Sequence, residues 1–357
     1  MPPVTIDVTA RARGYRVAVD PGVQRRLGPA LEQAGLTGPT LVVSSTRVWS
    51  TIGRRFGRTA PILVPDGERA KTLATVARVY DRLVDAHADR GVTIVAVGGG
   101  VIGDLVGFAA ATYLRGVGLV HVPTTLMAQV DSAIGGKVGV NLARGKNLVG
   151  AFHPPSLVLV DPEALATLSR REFRSGLYEV VKYGLIADPA LLDRLDRDLP
   201  AILSQEGDAL ADVIATSCRI KASVVSEDER ELGLRRILNF GHTVGHALEA
   251  VTDYRRLRHG EAVAHGMRAA LALGVARGLT PAPLADRAQA LLARLGPLPT
   301  VADLAAGDVL EAMRRDKKIV RGRLHFVVIG ASGPATITDV TPHEFKRALA
   351  ALGIRGR

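Results

Sequence analysis

Apolar positions follow two rhythms along this chain. Short β-branched runs at 4–8, 15–19, 40–44, 62–64, 93–97, 119–122 and 157–160 read as strands. The run 93–97 is apolar almost without a break, as expected of a parallel strand buried on both faces. Segments 22–34, 71–88 and 101–112 carry helical apolar spacing between them. Repeated strand-then-helix units predict a Rossmann-like, largely parallel sheet, whose ligands lie beyond the C-terminal strand ends. From 171 to 295 helical periodicity takes over, with Pro281, Pro283, Pro297 and Pro299 marking helix ends. A β pair at 325–329 and 335–338 and a helix at 342–352 follow. The expected fold class is α/β, a Rossmann-like domain over residues 1–165 followed by a mainly α-helical domain over 166–357.

Against this apolar background the polar residues cluster. Strand 93–97 runs into Gly98, Gly99 and Gly100, then a helical segment carrying Asp104. A glycine turn lets backbone approach a phosphate, and a helix N-terminus favours the anion. The Rossmann glycine spacing is not met, so the turn alone says little. Its companions Thr124, Thr125, Asp131, Gly135-Gly136-Lys137 and Gly145-Lys146-Asn147 say more. So many glycines and polar groups do not belong to a core, and 66–71, 98–104 and 124–125 all fall at predicted strand ends. This is a ligand site.

The helical half carries metal chemistry. His242 and His246 stand at i and i+4 on one helical face, His259 and Glu261 follow, and Glu179 with Lys182 lies on an earlier helix. Two histidines and a carboxylate form a common catalytic zinc set. Spacing alone pairs His242 with His246, leaves Glu261 and His265 open as further ligands, and leaves either histidine open as a hydrogen-bonded core residue.

Composition refines the picture. The net charge of +11 comes with only 4% aromatics and scattered arginines, without base-stacking interleaving or a zinc-finger or RNA-binding signature. A basic surface that favours an anionic small substrate is expected, with no nucleic acid as partner. Cys218 stands alone, which excludes an internal disulfide and suits the cytoplasm. The first residues lack the apolar core of a signal peptide, and no run approaches a membrane span. Eight lysines, at 71, 137, 146, 182, 221, 317, 318 and 346, stand against 38 arginines. A chain that uses arginine for surface charge keeps lysine where a compact ammonium or a shiftable pKa is needed.

Asp66-Gly67-Glu68 with Lys71, GGGVIGDLVGF, YLRG, VPTTLMAQVDSAIGGKVGVN, GKNLVGAFHPP, GLYEVVKYGLI, LNFGHTVGHALE, HGEAV and DKK together resemble the 3-dehydroquinate synthase family. The motifs run in family order over most of the chain. The resemblance implies an NAD-binding α/β domain, a helical domain holding a divalent metal (Zn²⁺ or Co²⁺), and a homodimer. Carried over by motif, the metal ligands are Glu179, His242 and His259, which replaces the pairing drawn from spacing. The NAD contacts are Asp66, Gly67, Glu68, Lys71, Gly99, Gly100, Val101, Asp104, Thr124, Thr125, Lys137, Lys146 and Thr167. The substrate contacts are Arg115 (from the partner subunit), Asp131, Lys137, Asn147, Lys182, Lys221, Arg235, Asn239, His246 and Lys317. The sequence departs from the family pattern at Tyr178, where a small residue is common, and at His265, where an apolar one is.

The implied substrate is a sugar phosphate, 3-deoxy-D-arabino-heptulosonate 7-phosphate. NAD oxidises its C5 hydroxyl, the ketone acidifies C6–H, phosphate leaves, the ketone is reduced again, and an aldol closure yields 3-dehydroquinate. Lys137, Lys317, His246 and Arg115 are expected at the phosphate, Lys221 and Arg235 at the carboxylate. Cyclases acting on sedoheptulose 7-phosphate or glucose 6-phosphate have no carboxylate to bind. An amino-dehydroquinate synthase does, and stays open. A metal-dependent polyol dehydrogenase is the more distant alternative.

Overall fold

The structure is a computed structural model that describes residues 2–11, 13–314, 319–320 and 323–356. Nine strands occupy the first part: β1 (Val4–Val8), β2 (Tyr15–Val19), β3 (Thr40–Ser45), β4 (Ile62–Val64), β5 (Thr93–Gly98), β6 (Gly118–Pro123), β7 (Lys137–Leu142), β8 (Gly145–Phe152) and β9 (Leu157–Val160). The helices are α1 (Leu27–Gln33), α2 (Thr46–Ile52), α3 (Leu73–Asp85), α4 (Gly100–Thr112), α5 (Arg170–Ile186), α6 (Pro189–Leu203), α7 (Gly207–Glu227), α8 (His242–Val251), α9 (His259–Ala276), α10 (Ala282–Arg294), α11 (Ala306–Arg314) and α12 (Pro342–Ala350).

Two compact units emerge, Met1–Ser169 with Gln205–Glu229, and Arg170–Ser204 with Arg230–Arg357. In the first, seven strands form one sheet in the order β1-β2-β9-β6-β5-β3-β4, parallel except for the β1–β2 pair. Every residue of β5 and β9 is buried, as their continuous apolar runs require. Side chains alternate between two cores. Ile94, Ala96 and Leu119 pack under α3 and α4 with Val76, Leu83 and Leu105, while Val95, Val97, Val120 and Leu159 pack with Leu31, Ile52 and Phe56 on the other face.

The expected helix 22–34 is split into a 3₁₀ turn, Val23–Arg26, and α1. Pro29 has no N–H to continue an α-helical ladder backwards, so the regular helix starts only just before it. The β7–β8 hairpin, with Val138 and Val140 buried, is absent from the predicted strands, because glycines at 139, 145 and 150 dilute its strand pattern. The contiguous division expected at residue 165 also differs from the structure, since 205–229 groups with the first unit. Three contacts explain it: Thr9 N–H donates to Ser226 Oγ (2.8 Å), Arg11 N–H to Glu229 Oε2 (2.8 Å), and the Cys218 thiol to Gln129 O (3.3 Å).

The second unit is helical around a hairpin of Phe326–Gly330 and Gly333–Ile337. No helix among the described residues is long and apolar enough to cross a membrane.

Candidate functional site

In the first unit the conspicuous polar groups gather at the C-terminal strand ends. β5 runs into α4 through Gly99, which as N-cap residue offers no side chain to the helix N-terminus. The first backbone N–H groups of α4 are therefore left for an anion. A Cβ on Gly99 would stand 3.0 Å from Thr125 Cγ2, so a larger residue there would press on the loop after β6. Thr124 N–H closes that loop on Gly98 O (3.0 Å), and Thr125 Oγ1 accepts Ala128 N–H (3.2 Å).

A buried cation anchors the same region. Lys71 is 3% exposed, and its Nζ lies 2.5 Å from Asp104 Oδ2 and 2.5 Å from Asn147 Oδ1. Burial pushes the Asp104 carboxyl above its usual range, against the pull of Lys71. Asn147 N–H donates to Asn141 Oδ1 (2.9 Å), and Asn141 Nδ2 donates to Glu68 Oε1 (2.8 Å), 3.9 Å from Lys146 Nζ. Glu68, Lys71, Asp104, Lys146 and Asn147 thus share one network. Asn141, absent from the expected set, bridges it.

The other expected residues of this unit are placed as follows. Asp66 Oδ2 accepts Arg47 N–H (3.1 Å) in the turn after β4, where Gly67 has φ 84°. Gly100 and Val101 open α4. Asp131 Oδ1 lies 2.5 Å from Lys221 Nζ, joining the turn after β6 to α7. Lys137 is exposed at the start of β7, and Thr167 ends a 3₁₀ turn, Pro162–Thr167, after β9. Arg115 (φ 70°) sits between Leu114 (φ 47°) and Gly116 (φ 124°) in an exposed turn. Two successive left-handed non-glycine residues store about 1–3 kcal/mol each, strain of the kind found where a side chain is held for use.

In the second unit α5, α8 and the start of α9 bring the metal-ligating types together. Gly241 adopts φ 78° at the N-cap of α8, and a Cβ on Gly266 would come within 1.8 Å of its carbonyl, so α8 and α9 touch backbone to backbone. The donor atoms of His242, His246 and His259 lie within 4.8 Å of one another. Glu179 Oε1 is 3.7 Å from His242 Nε2 and 3.9 Å from His259 Nε2. Glu179 is fully buried, neither of its oxygens accepts an aligned hydrogen bond, and Lys182 Nζ meets Oε2 as an ion pair one helical turn along α5.

The far ring nitrogens are anchored. His242 Nδ1 is 3.1 Å from Phe240 O, and His259 Nδ1 is 3.1 Å from Glu249 Oε2. Metal-binding histidines are oriented in this way, with the second nitrogen on a carbonyl or carboxylate. A buried carboxylate without aligned donors and two imidazoles turned toward it fit a divalent cation. Glu249 was not among the expected residues, yet it was legible: with His242 and His246 it continues one helical face at i, i+4, i+7. Glu249→Gln is expected to weaken Zn²⁺ binding about 10- to 100-fold, read by competition with a chelating dye.

The two further ligands left open by spacing are engaged elsewhere. Glu261 accepts Arg171 Nε and Nη2 at 2.7 Å each and caps α9 through Arg258 N–H (2.8 Å). His265 Nε2 is 2.9 Å from Pro299 O, and burial pushes its pKa down. Arg235 is buried in the 3₁₀ turn Leu234–Asn239, and Asn239 Nδ2 donates a short hydrogen bond to Glu231 Oε1. Glu231, at φ 61°, is a second acidic residue the expected set lacked. Lys317 lies outside the described residues.

Comparison with known proteins places both halves. Residues 61–175 match the family described as 3-dehydroquinate synthase N-terminal, and 176–319 the one described as 3-dehydroquinate synthase C-terminal. A 3-dehydroquinate synthase of a Synechococcus species is 46% identical over 96% of this chain and 96% of its own. A 2-epi-5-epi-valiolone synthase of Streptomyces hygroscopicus, solved with NAD⁺ and Zn²⁺, has a TM-score of 0.88 at 31% identity over 96% of this chain and 98% of its own. A 2-deoxy-scyllo-inosose synthase, solved with carbaglucose-6-phosphate, NAD⁺ and Co²⁺, has a TM-score of 0.83 at 27% identity, covering 97% of this chain and 100% of its own.

Proposed function

This chain belongs to the 3-dehydroquinate synthase family, and from that premise we propose that it converts 3-deoxy-D-arabino-heptulosonate 7-phosphate to 3-dehydroquinate and phosphate. One observation carries the choice of product: 46% identity to a 3-dehydroquinate synthase over nearly the whole chain, against 31% and 27% to cyclases with other names. When bound, NAD supplies a hydride acceptor that returns the hydride, and a divalent metal supplies a Lewis acid for substrate oxygens.

The chain's own residues divide the remaining work between binding and proton handling. Glu179, His242 and His259 hold the metal. The α4 N-terminus, Asp66 to Lys71, Thr124-Thr125, Lys146 and Thr167 hold the dinucleotide. Lys221 and Arg235 take the substrate carboxylate, as point charge and planar fork respectively. Lys137, His246 and Lys317 take the phosphate. Asn239, with Glu231 behind it, and Asp131 with Asn147 orient the hydroxyls. The exposed, strained Arg115 turn supports a homodimer in which that arginine serves the neighbouring subunit. The single cysteine, Cys218, is buried with its pKa pushed up to about 12, and a lone thiol without a disulfide partner in the chain fits a reducing cytoplasm.

The test is turnover with substoichiometric NAD. Phosphate and carbocycle are expected to appear one for one while NADH absorbance stays flat. NADH rising in step with consumption of a polyol would replace the synthase reading by a dehydrogenase, and turnover of only the amino-substituted substrate would select an amino-dehydroquinate synthase.

A further inference from the structure

The C-terminal ends of β6 and β9 diverge. They pair in register only at Val120 with Leu157 and His121 with Val158, although β6 continues to Pro123 and β9 to Val160. Past those pairs each strand is held from its other side, β6 by β5 and β9 by β2. One side chain spans the divergence. Gln129 Nε2 donates to Pro123 O (3.2 Å) and to Asp161 O (2.7 Å). Both acceptors are carbonyl oxygens, so the amine must face them. Gln129 is fully buried, and its Oε1 has no partner. A buried amide that leaves its oxygen unsatisfied is a costly choice for a core position, which points to a use for the two N–H groups.

The neighbours of this clamp are the segments assigned to the cofactor. Thr124-Thr125 follows Pro123, and the Pro162–Thr167 turn follows Asp161. Gln129 itself lies in a single π-turn, Ala128–Ser132, two residues before the Asp131 that meets Lys221. Such turns recur at functional sites. We propose that Gln129 is a positioning residue for the dinucleotide, fixing the separation of the post-β6 and post-β9 segments through its two amide hydrogens. The inference rests on the assignment of those segments to NAD. It also specifies the chemistry required, which is a double donor of this length; an acceptor or an apolar side chain of the same size does not serve.

Gln129→Met keeps length and burial but removes both donors, and Gln129→Glu sets an oxygen against two carbonyls. NAD binding to the full-length, metal-loaded protein is measured by calorimetry without substrate. Gln129→Met is expected to weaken NAD about tenfold, the scale of losing one or two neutral hydrogen bonds, and Gln129→Glu further. In steady state KM for NAD should rise with little change in kcat at saturation, and bound metal should be unchanged. If Gln129→Met fails to fold, Gln129→Asn, which keeps the amine one methylene short, is expected to show an intermediate loss. A lowered melting temperature with wild-type NAD affinity would make Gln129 a mere strut and overturn the proposal. Failure of the wild-type protein to bind NAD would bring down the underlying assignment as well.

Discussion

His259→Ala is expected to leave a protein that retains no metal after dialysis and releases no phosphate from the heptulosonate phosphate. His246→Ala, one turn from His242, is expected to keep its metal and lose turnover. The two differ because of what surrounds the rings. His259 Nε2 faces Glu179 Oε1 while Nδ1 is fixed by Glu249, so the imidazole is held as a ligand from both sides. Removing such a ligand should cost more than the roughly 100-fold upper range of second-shell changes. His246 stands in the same triangle of rings, 5.5 Å from His242 and 5.8 Å from His259 centre to centre. As a proton-transfer or phosphate-binding group it should be worth about 10²- to 10⁴-fold in rate without holding the metal. Metal content by mass spectrometry and phosphate release separate the roles. If His246→Ala loses the metal while Glu179→Gln keeps it, the ligand set is the three histidines and Glu179 serves Lys182 alone.

How much of this was legible beforehand depends on the range of the interaction. Parallel strands were legible because β5 and β9 carry unbroken runs of Ile, Leu, Val and Ala, a property local to four residues. The histidine pair of α8 is equally local, and the periodicity that paired His242 with His246 also reached Glu249. What periodicity could not supply was His259, whose partnership with His242 depends on the close contact of α8 and α9 around Gly241 and Gly266. Motif resemblance supplied it instead. The placement of α7 in the first unit was hidden for the same reason, since Lys221 meets Asp131 across 90 positions. Asn141 is the clearest miss. It joins Glu68 and Asn147 only once the β7–β8 hairpin has folded back, and that hairpin carries too many glycines to read as strands.

Lys71→Met is expected to destabilise the protein by about 3–5 kcal/mol at neutral pH, the range measured when one partner of a buried ion pair is removed. The side chains of Lys71 and Asp104 are 4% and 21% exposed, so removing the lysine strands a largely buried carboxylate. The pH dependence follows from the direction of the Asp104 shift. Burial already holds that carboxyl above its unfolded value, and the charge and hydrogen bond of Lys71 both act to lower it. Without Lys71 the folded pKa rises further. The folded variant then binds a proton that the unfolded chain does not, over the window between the unfolded value and the raised folded one, so its stability increases as pH falls through that window. The deficit relative to wild type, from urea unfolding at fixed m value, should therefore be largest near pH 8 and shrink toward pH 5. Lys71→Met combined with Asp104→Leu should recover most of the stability, because a buried pair replaced by apolar groups is often neutral or better. It should not recover NAD binding, since Lys71 and Asp104 are themselves expected NAD contacts and the double variant lacks both. A deficit independent of pH would mean that Asp104 stays ionised with another cation at hand, and that Lys71 supports the fold through its packing and its bond to Asn147 rather than by neutralising Asp104.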